Sequence, residues 1–167
     1  MEARKHLIDW LRDAHAMEQQ AVAMLERQVQ RLESYPELSM RIREHVIESR
    51  RQADQIDACI HRLDGDTSAV KDTLGKLSAN LGALLGSTAP DEVVKDVLAN
   101  FAFEHFEIAC YRSLIAAAEE VGDQQTASVC RDILREEEAM AAWLAENIAV
   151  VTRAFLEREM AGIQAKR

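Results

Sequence analysis

Apolar residues recur every three or four positions over four long stretches of the chain, the spacing of amphipathic α-helices. The first stretch runs from about residue 2 to 34 and the second from Pro36 to the string LDGD. The third begins at Pro90 and closes near Gly122, and the fourth follows Asp123, a suitable N-cap, to about residue 160. Gly65 is placed to adopt the left-handed conformation that ends a helix. The pattern predicts an all-α, four-helix bundle.

The lengths of the connections predict the topology of this bundle. Short turns join helices one and two, and helices three and four, so each pair forms an antiparallel hairpin (2–64 and 90–160). The crossover between them, 65–89, keeps apolar residues at helical spacing but is diluted by glycines, which indicates a short helix. Two hairpins joined by one long crossover are typical of the ferritin-like four-helix bundle, here a single domain, 1–167. An up-down-up-down bundle is the alternative, but it gives no reason for so long a connection.

Every predicted helix carries an acidic residue on its apolar face. These acids are Glu18, Glu48, Glu104 with Glu107, and Glu137, in the order of the helices. Glu18 and Glu48 are 30 residues apart, as are Glu107 and Glu137, so the acids of each hairpin fall at similar heights along the bundle. Clustered buried carboxylates are costly unless positive charge accompanies them. We therefore predict that metal ions supply this charge.

The other polar residues on these faces refine the prediction. Carboxylate oxygens with an imidazole suit iron or manganese, and two ions can share carboxylates. His45, one turn before Glu48, is either a ligand or a supporting histidine, and Gln52, one turn after it, is interpreted as a hydrogen-bond partner of a ligand. Tyr111 is a candidate donor of an electron or a hydrogen bond, although such a tyrosine often belongs to the core. Lys and Arg are scarce here, Arg112 being the nearest cation.

Composition narrows the classes of partner. The net charge of −9 argues against nucleic acid and anionic membranes. No uninterrupted apolar run reaches the length of a membrane span, and the N-terminal residues lack the apolar segment of a signal peptide. Three cysteines without a CxxC pair are interpreted as small buried side chains. We expect a cytoplasmic protein.

Four strings in the sequence resemble a known family. LRDAHAMEQQ, EHVIESRRQ, EHFEIACYRSLIAAAEEVGD and ILREEEAMAAWL are similar to the four helices of the YciE/YciF family of bacterial ferritin-like proteins. The resemblance covers nearly the whole chain. It implies a ferritin-like bundle, commonly a homodimer, with a di-metal carboxylate site and an association with bacterial stress responses. It also implies the ligands, which would be Glu18, Glu48, Glu104, Glu107 and Glu137, with His45 as an addition.

The sequence departs from the wider ferritin-like pattern, which has Glu-x-x-His on the second and fourth helices. Arg51 and Met140 occupy the two histidine positions here. The first hypothesis is a di-iron or di-manganese protein that reacts with oxygen or peroxide, its ions bridged by Glu48 and Glu137. The second is a metal-binding stress protein without turnover. The third is a metal-free helical interaction module, and the sequence leaves open whether the protein is an enzyme.

Overall fold

Four α-helices make up the part of the chain that the structure, a computed structural model, describes: residues 2–65 and 89–165. They are α1 (Glu2–Val29), α2 (Pro36–Arg62), α3 (Glu92–Glu120) and α4 (Gln124–Met160). The predicted all-α, four-helix architecture is confirmed. The predicted helix in the crossover lies outside the described residues.

The ends of the helices follow local sequence signals. Pro36 occupies the first turn of α2, where its missing N–H costs nothing. The side chain of Asp123 accepts a hydrogen bond from the backbone N–H of Thr126, at 3.2 Å, which confirms the predicted N-cap of α4. The predicted first helix, which ran to about residue 34, was too long at its C-terminal end. The helix stops at Val29, but Leu32 in the following turn is also buried, so the apolar spacing continues past the last helical residue.

The residue that ends α2 in a left-handed conformation is Asp64, with φ at 61°, so the prediction for Gly65 was wrong. Gly65 serves the fold in another way. A Cβ atom at this position would lie 2.9 Å from Cγ2 of Ile60 and 2.9 Å from Cγ2 of Ile8. The absence of a side chain therefore lets the chain leaving α2 pass close against α1.

Replacement of Gly65 by alanine should destabilise the protein. The added methyl group meets two β-branched side chains, whose stiffness limits how far they can move. Overpacking of this kind typically costs about 1–3 kcal/mol. Urea unfolding of Gly65→Ala beside the wild type measures the effect, and an unchanged midpoint would show that the contact relaxes freely.

The core of the bundle consists of two apolar clusters. α1 packs along α2 and α3 packs along α4, and the hairpins meet through α1 with α3 and through α2 with α4. One cluster includes Leu11 of α1 and Ile133 of α4, and the other includes Leu25 of α1 and Met140 of α4. The positions between them on both helices include the predicted acids. These acids therefore lie at mid-height in the bundle, between the two apolar clusters.

α4 is long and apolar enough to cross a membrane by length and composition alone. This helix, however, is the last of the bundle and directs Ile133, Leu144 and Val151 into the core. Glu137 lies on the same buried face. We therefore interpret α4 as a core helix.

Candidate metal centre

Four side chains from three helices converge in the middle of the bundle: His45 of α2, Glu104 and Glu107 of α3, and Glu137 of α4. Each offers one potential ligand atom, and these atoms all lie within 4.8 Å of one another. All four residues are buried, with no more than 2% of any of them exposed. The structure therefore brings together four of the predicted ligands.

The spacing along α3 explains why this helix contributes two acids. Residues three apart in an α-helix lie on the same face, so Glu104 and Glu107 project in the same direction from consecutive turns. The flanking residues Phe103 and Ile108 are buried in the bundle and fix the rotation of the helix. Burial of the apolar neighbours thus carries the two carboxylates inward.

His45 lies among the carboxylates of the cluster. Its Nε2 atom lies 3.2 Å from a carboxylate oxygen of Glu104 and 3.5 Å from one of Glu137. Its Nδ1 atom lies 2.8 Å from Oε2 of Glu48. Burial alone would lower the pKa of His45, but the carboxylates around it raise that pKa well above its ordinary value. A protonated imidazole therefore offsets part of the negative charge.

One imidazolium does not satisfy the remaining oxygens. Both carboxylate oxygens of Glu107 and both of Glu137 lack a hydrogen-bond partner within the described residues. One oxygen of Glu18 and one of Glu104 are in the same condition, which makes six in all. Burial, followed by the negative charge of neighbouring acids, raises the pKa of Glu107 well above its ordinary value, and the same causes raise that of Glu137. The cluster holds far more acceptors than donors.

Glu18 of α1, a predicted ligand, is outside the group of four and has one hydrogen-bond partner among the described residues. The hydroxyl of Tyr111 donates a hydrogen bond to Oε1 of Glu18, and both side chains are fully buried. Burial raises the pKa of Glu18 to about 8, although the Tyr111 hydrogen bond opposes this rise. Burial and the charge of Glu18 in turn raise the pKa of Tyr111. The tyrosine thus orients the carboxylate of α1.

Glu48 and Gln52 are placed differently from the sequence-based expectation. Glu48 is outside the group of four, and its side chain is 28% exposed. Gln52 is buried, but its amide nitrogen donates to Glu136, at 2.9 Å, an acid that is not among the predicted ligands. Arg112 does not relieve the cluster, because it pairs with Glu138 at the surface, at 2.8 Å. The cation that does so is His45.

A second group of buried polar side chains, which the sequence analysis missed, lies where the C-terminal end of α1 meets the N-terminal part of α3. Gln28 and Asn100 exchange two side-chain hydrogen bonds, of 3.1 and 2.9 Å. Arg31 forms ion pairs with Glu92 and with Asp96. The helical spacing of the α3 members, four residues apart, was the available signal. This group contains one arginine, Arg31, and two amide donors of the protein itself, whereas the basic side chain of the carboxylate cluster is His45.

Asp96 should make the stability of the protein fall as the pH rises. Burial raises its pKa to about 6 despite the attraction of Arg31. An acid whose pKa is higher in the folded state contributes full stability below its unfolded pKa, about 4, and loses it as the pH passes about 6. We expect Asp96→Asn to be about 1–3 kcal/mol more stable than the wild type near pH 8 and similar near pH 4. Urea unfolding across that range tests the sign, and a variant that is less stable near pH 8 would contradict it.

Comparison with known proteins places the chain in a family. Residues 2–157 match the family model described as "Domain of unknown function (DUF892)". A protein of known structure from Xanthomonas campestris pv. campestris is 42% identical, with a TM-score of 0.82 over 95% of this chain and 99% of that one. The Escherichia coli stress protein YciF is 25% identical, with a TM-score of 0.72 over 88% of this chain and 94% of that one.

The fold is also shared with more distant proteins. A bacterioferritin from Desulfovibrio desulfuricans, which has a diiron site, is 22% identical, with a TM-score of 0.75. The match covers 91% of this chain and 83% of the bacterioferritin. At this identity the likeness shows the ferritin-like fold alone. The bundle is ferritin-like, and its buried carboxylate and histidine cluster could bind metal. The family match and the 42% identical relative show that the chain belongs to the DUF892 family of YciF-like proteins.

Proposed function

We propose that this protein binds two iron or manganese ions in the mid-bundle cluster and serves in a stress response. Six buried carboxylate oxygens that lack a hydrogen-bond partner among the described residues carry the proposal. Oxygens removed from water without compensation are strongly unfavourable, so a fold that gathers them has a reason to do so. Metal cations would provide that compensation.

The donor set fits these metals. Glu104, Glu107 and Glu137 offer hard carboxylate oxygens, and His45 adds one imidazole nitrogen. Iron and manganese accept this combination, whereas thiolate ligands are absent from the group. Glu18, which accepts from Tyr111, and Glu48, which contacts His45, would extend the set toward a second ion. The relationship to YciF, which is a stress protein, supports the physiological part of the proposal.

Bound iron or manganese would supply one-electron redox chemistry toward oxygen or peroxide. The protein residues would set the conditions for that chemistry. The two apolar clusters exclude water above and below the site, and Tyr111 holds Glu18 through its hydroxyl. Glu48 is the ligand candidate with a solvent-exposed side chain, so the α2 surface is the side from which small molecules would approach.

Metal binding without turnover is the second candidate. Arg51 and Met140, at the positions where the wider pattern has histidine, do not provide an imidazole. The first forms an ion pair with Glu136, and the second is fully buried in an apolar cluster. A site with one histidine and several carboxylates differs from the pattern that is associated with oxygen chemistry. Ions held in this way would chiefly stabilise the bundle.

Metal content after reconstitution tests the binding proposal. We expect inductively coupled plasma mass spectrometry to find about two ions per chain in the wild type after incubation with Fe²⁺ or Mn²⁺ and desalting. Glu137→Gln should lose most of that metal because it removes a central carboxylate. Glu138→Gln is the matched control, since Glu138 is the next residue but pairs with Arg112 at the surface. Equal metal in all three proteins would contradict the proposal.

Turnover is tested separately by the consumption of peroxide. If the bound metal reacts with peroxide, the iron-loaded wild type consumes hydrogen peroxide faster than free iron does, and Glu48→Ala abolishes the difference. If the metals are structural, loaded wild type and variant consume peroxide at the same low rate while the wild type still retains its metal.

A further inference from the structure

Glu48 stands apart from the other acids of the site. Its side chain is 28% exposed, whereas those of Glu104 and Glu137 are buried. Two side chains of the protein contact the same oxygen of Glu48, Oε2. The contacting atoms are Nδ1 of His45, at 2.8 Å, and Nη1 of Arg41, at 3.2 Å. Groups of the chain itself thus already hold this carboxylate.

The register of α2 explains this arrangement. Arg41, His45 and Glu48 are separated by four and three residues, so all three lie on one face of the helix. The Arg41 side chain is only 15% exposed, so water screens its attraction to Glu48 less than it would at an open surface. The hydrogen bond from His45 and the charge of Arg41 lower the pKa of Glu48. Arg41 also lies 3.8 Å from Glu44, which extends the contact toward solvent.

We propose that Arg41 is a positioning residue that holds Glu48 at the solvent side of the cluster and competes with metal ions for its carboxylate. This inference rests on the proposed metal-binding function. A cation that binds Oε2 of Glu48 competes with Nη1 of Arg41 for that oxygen. Arg41 therefore weakens metal binding in the wild-type protein, and its removal strengthens it.

A general effect of charge is the competing explanation. Removal of any arginine near an acidic cluster makes the local potential more negative and favours cations. Arg51 provides the matched control: it is also on α2, but it pairs with Glu136 rather than with Glu48. An effect through Glu48 is confined to Arg41, whereas a general effect appears at both arginines.

The test is the dissociation constant for Mn²⁺, measured by calorimetry at one ionic strength for wild type, Arg41→Gln, Arg51→Gln, Glu48→Gln and the double variant Arg41→Gln with Glu48→Gln. We expect Arg41→Gln to bind Mn²⁺ about tenfold more tightly than the wild type, and Arg51→Gln to change the affinity by less than about twofold. In the Glu48→Gln background, Arg41→Gln should have no effect, because the ion pair that it removes is already gone.

Each other outcome has a definite meaning. Equal tightening by Arg41→Gln with and without Glu48, or by both arginine variants, would overturn the proposed role of Arg41 while leaving the metal site intact. An unchanged affinity in Arg41→Gln would also overturn it. Binding by Arg41→Gln alone would support it in its strongest form. No Mn²⁺ binding by any of the proteins would contradict the metal site, and the role of Arg41 with it.

Discussion

Saturating Fe²⁺ or Mn²⁺ should raise the melting temperature of the wild-type protein by about 8–16 °C. The ligand atoms of the site come from distant parts of the chain, so they are close together only in the folded state. A ligand that binds only the folded state adds about 4 kcal/mol at a thousand times its dissociation constant. For a domain of this size, each kcal/mol corresponds to about 2–4 °C. Differential scanning calorimetry with and without metal, under nitrogen for Fe²⁺, measures the shift.

Two controls make the shift specific. Glu138→Gln should retain it, because that acid lies at the surface beside the site. Ca²⁺ at the same concentration should produce a smaller shift, because it does not favour an imidazole ligand. A melting temperature that does not respond to Fe²⁺ or Mn²⁺ would favour the metal-free interaction module.

Replacement of Glu107 by glutamine should stabilise the metal-free protein and abolish its response to metal. Neither oxygen of Glu107 has a hydrogen-bond partner within the described residues, and the residue is fully buried. Its pKa is raised by burial and then by the negative charges of Glu18, Glu137 and Glu104. Glutamine has nearly the same shape, carries no charge and offers an N–H₂ donor to the surrounding carboxylates. We expect a gain of about 1–3 kcal/mol in the free energy of unfolding in the presence of a chelator.

Opposite changes in stability and in metal binding distinguish a functional acid from a structural one. Urea unfolding with EDTA measures the first, and the shift in melting temperature with Mn²⁺ measures the second. Glu138→Gln should alter neither by much, since its ion pair with Arg112 is exposed. A destabilised metal-free Glu107→Gln would mean that the carboxylate has an essential role in the fold itself.

The sequence was sufficient to predict the architecture. Helical periodicity and the lengths of the connections indicated two hairpins and a ferritin-like bundle, and the fold and the family are confirmed. Local ends were harder to predict because an apolar residue in a turn looks like another helical position. Leu32, buried beyond the end of α1, is an example. The left-handed residue at the end of α2 is Asp64 and not the predicted Gly65. The close approach of Ile8 to Gly65 comes from tertiary packing, which the sequence spacing does not describe.

The site was predictable to the level of the helix faces. The equal spacing of acids in the two hairpins indicated a layer at mid-height. His45, Glu104, Glu107 and Glu137 do lie together, whereas Glu18 and Glu48 are outside that group. That they bind metal stays a prediction. The direction of each side chain depends on contacts that the spacing does not describe. Glu48 is turned toward the partly buried Arg41, although the distance of seven residues between them was a signal that could have been read.

The most direct test of the metal centre is a crystal structure of the protein grown with Mn²⁺ or with Fe²⁺ under nitrogen, with anomalous diffraction data collected across the absorption edge of the metal. Our account predicts strong anomalous peaks within about 2–2.5 Å of the carboxylate oxygens of Glu104, Glu107 and Glu137 and of the imidazole of His45. The same crystal would show whether Glu48 has left Arg41. Anomalous peaks confined to surface acids, with the imidazole of His45 still between Glu104 and Glu137, would contradict it.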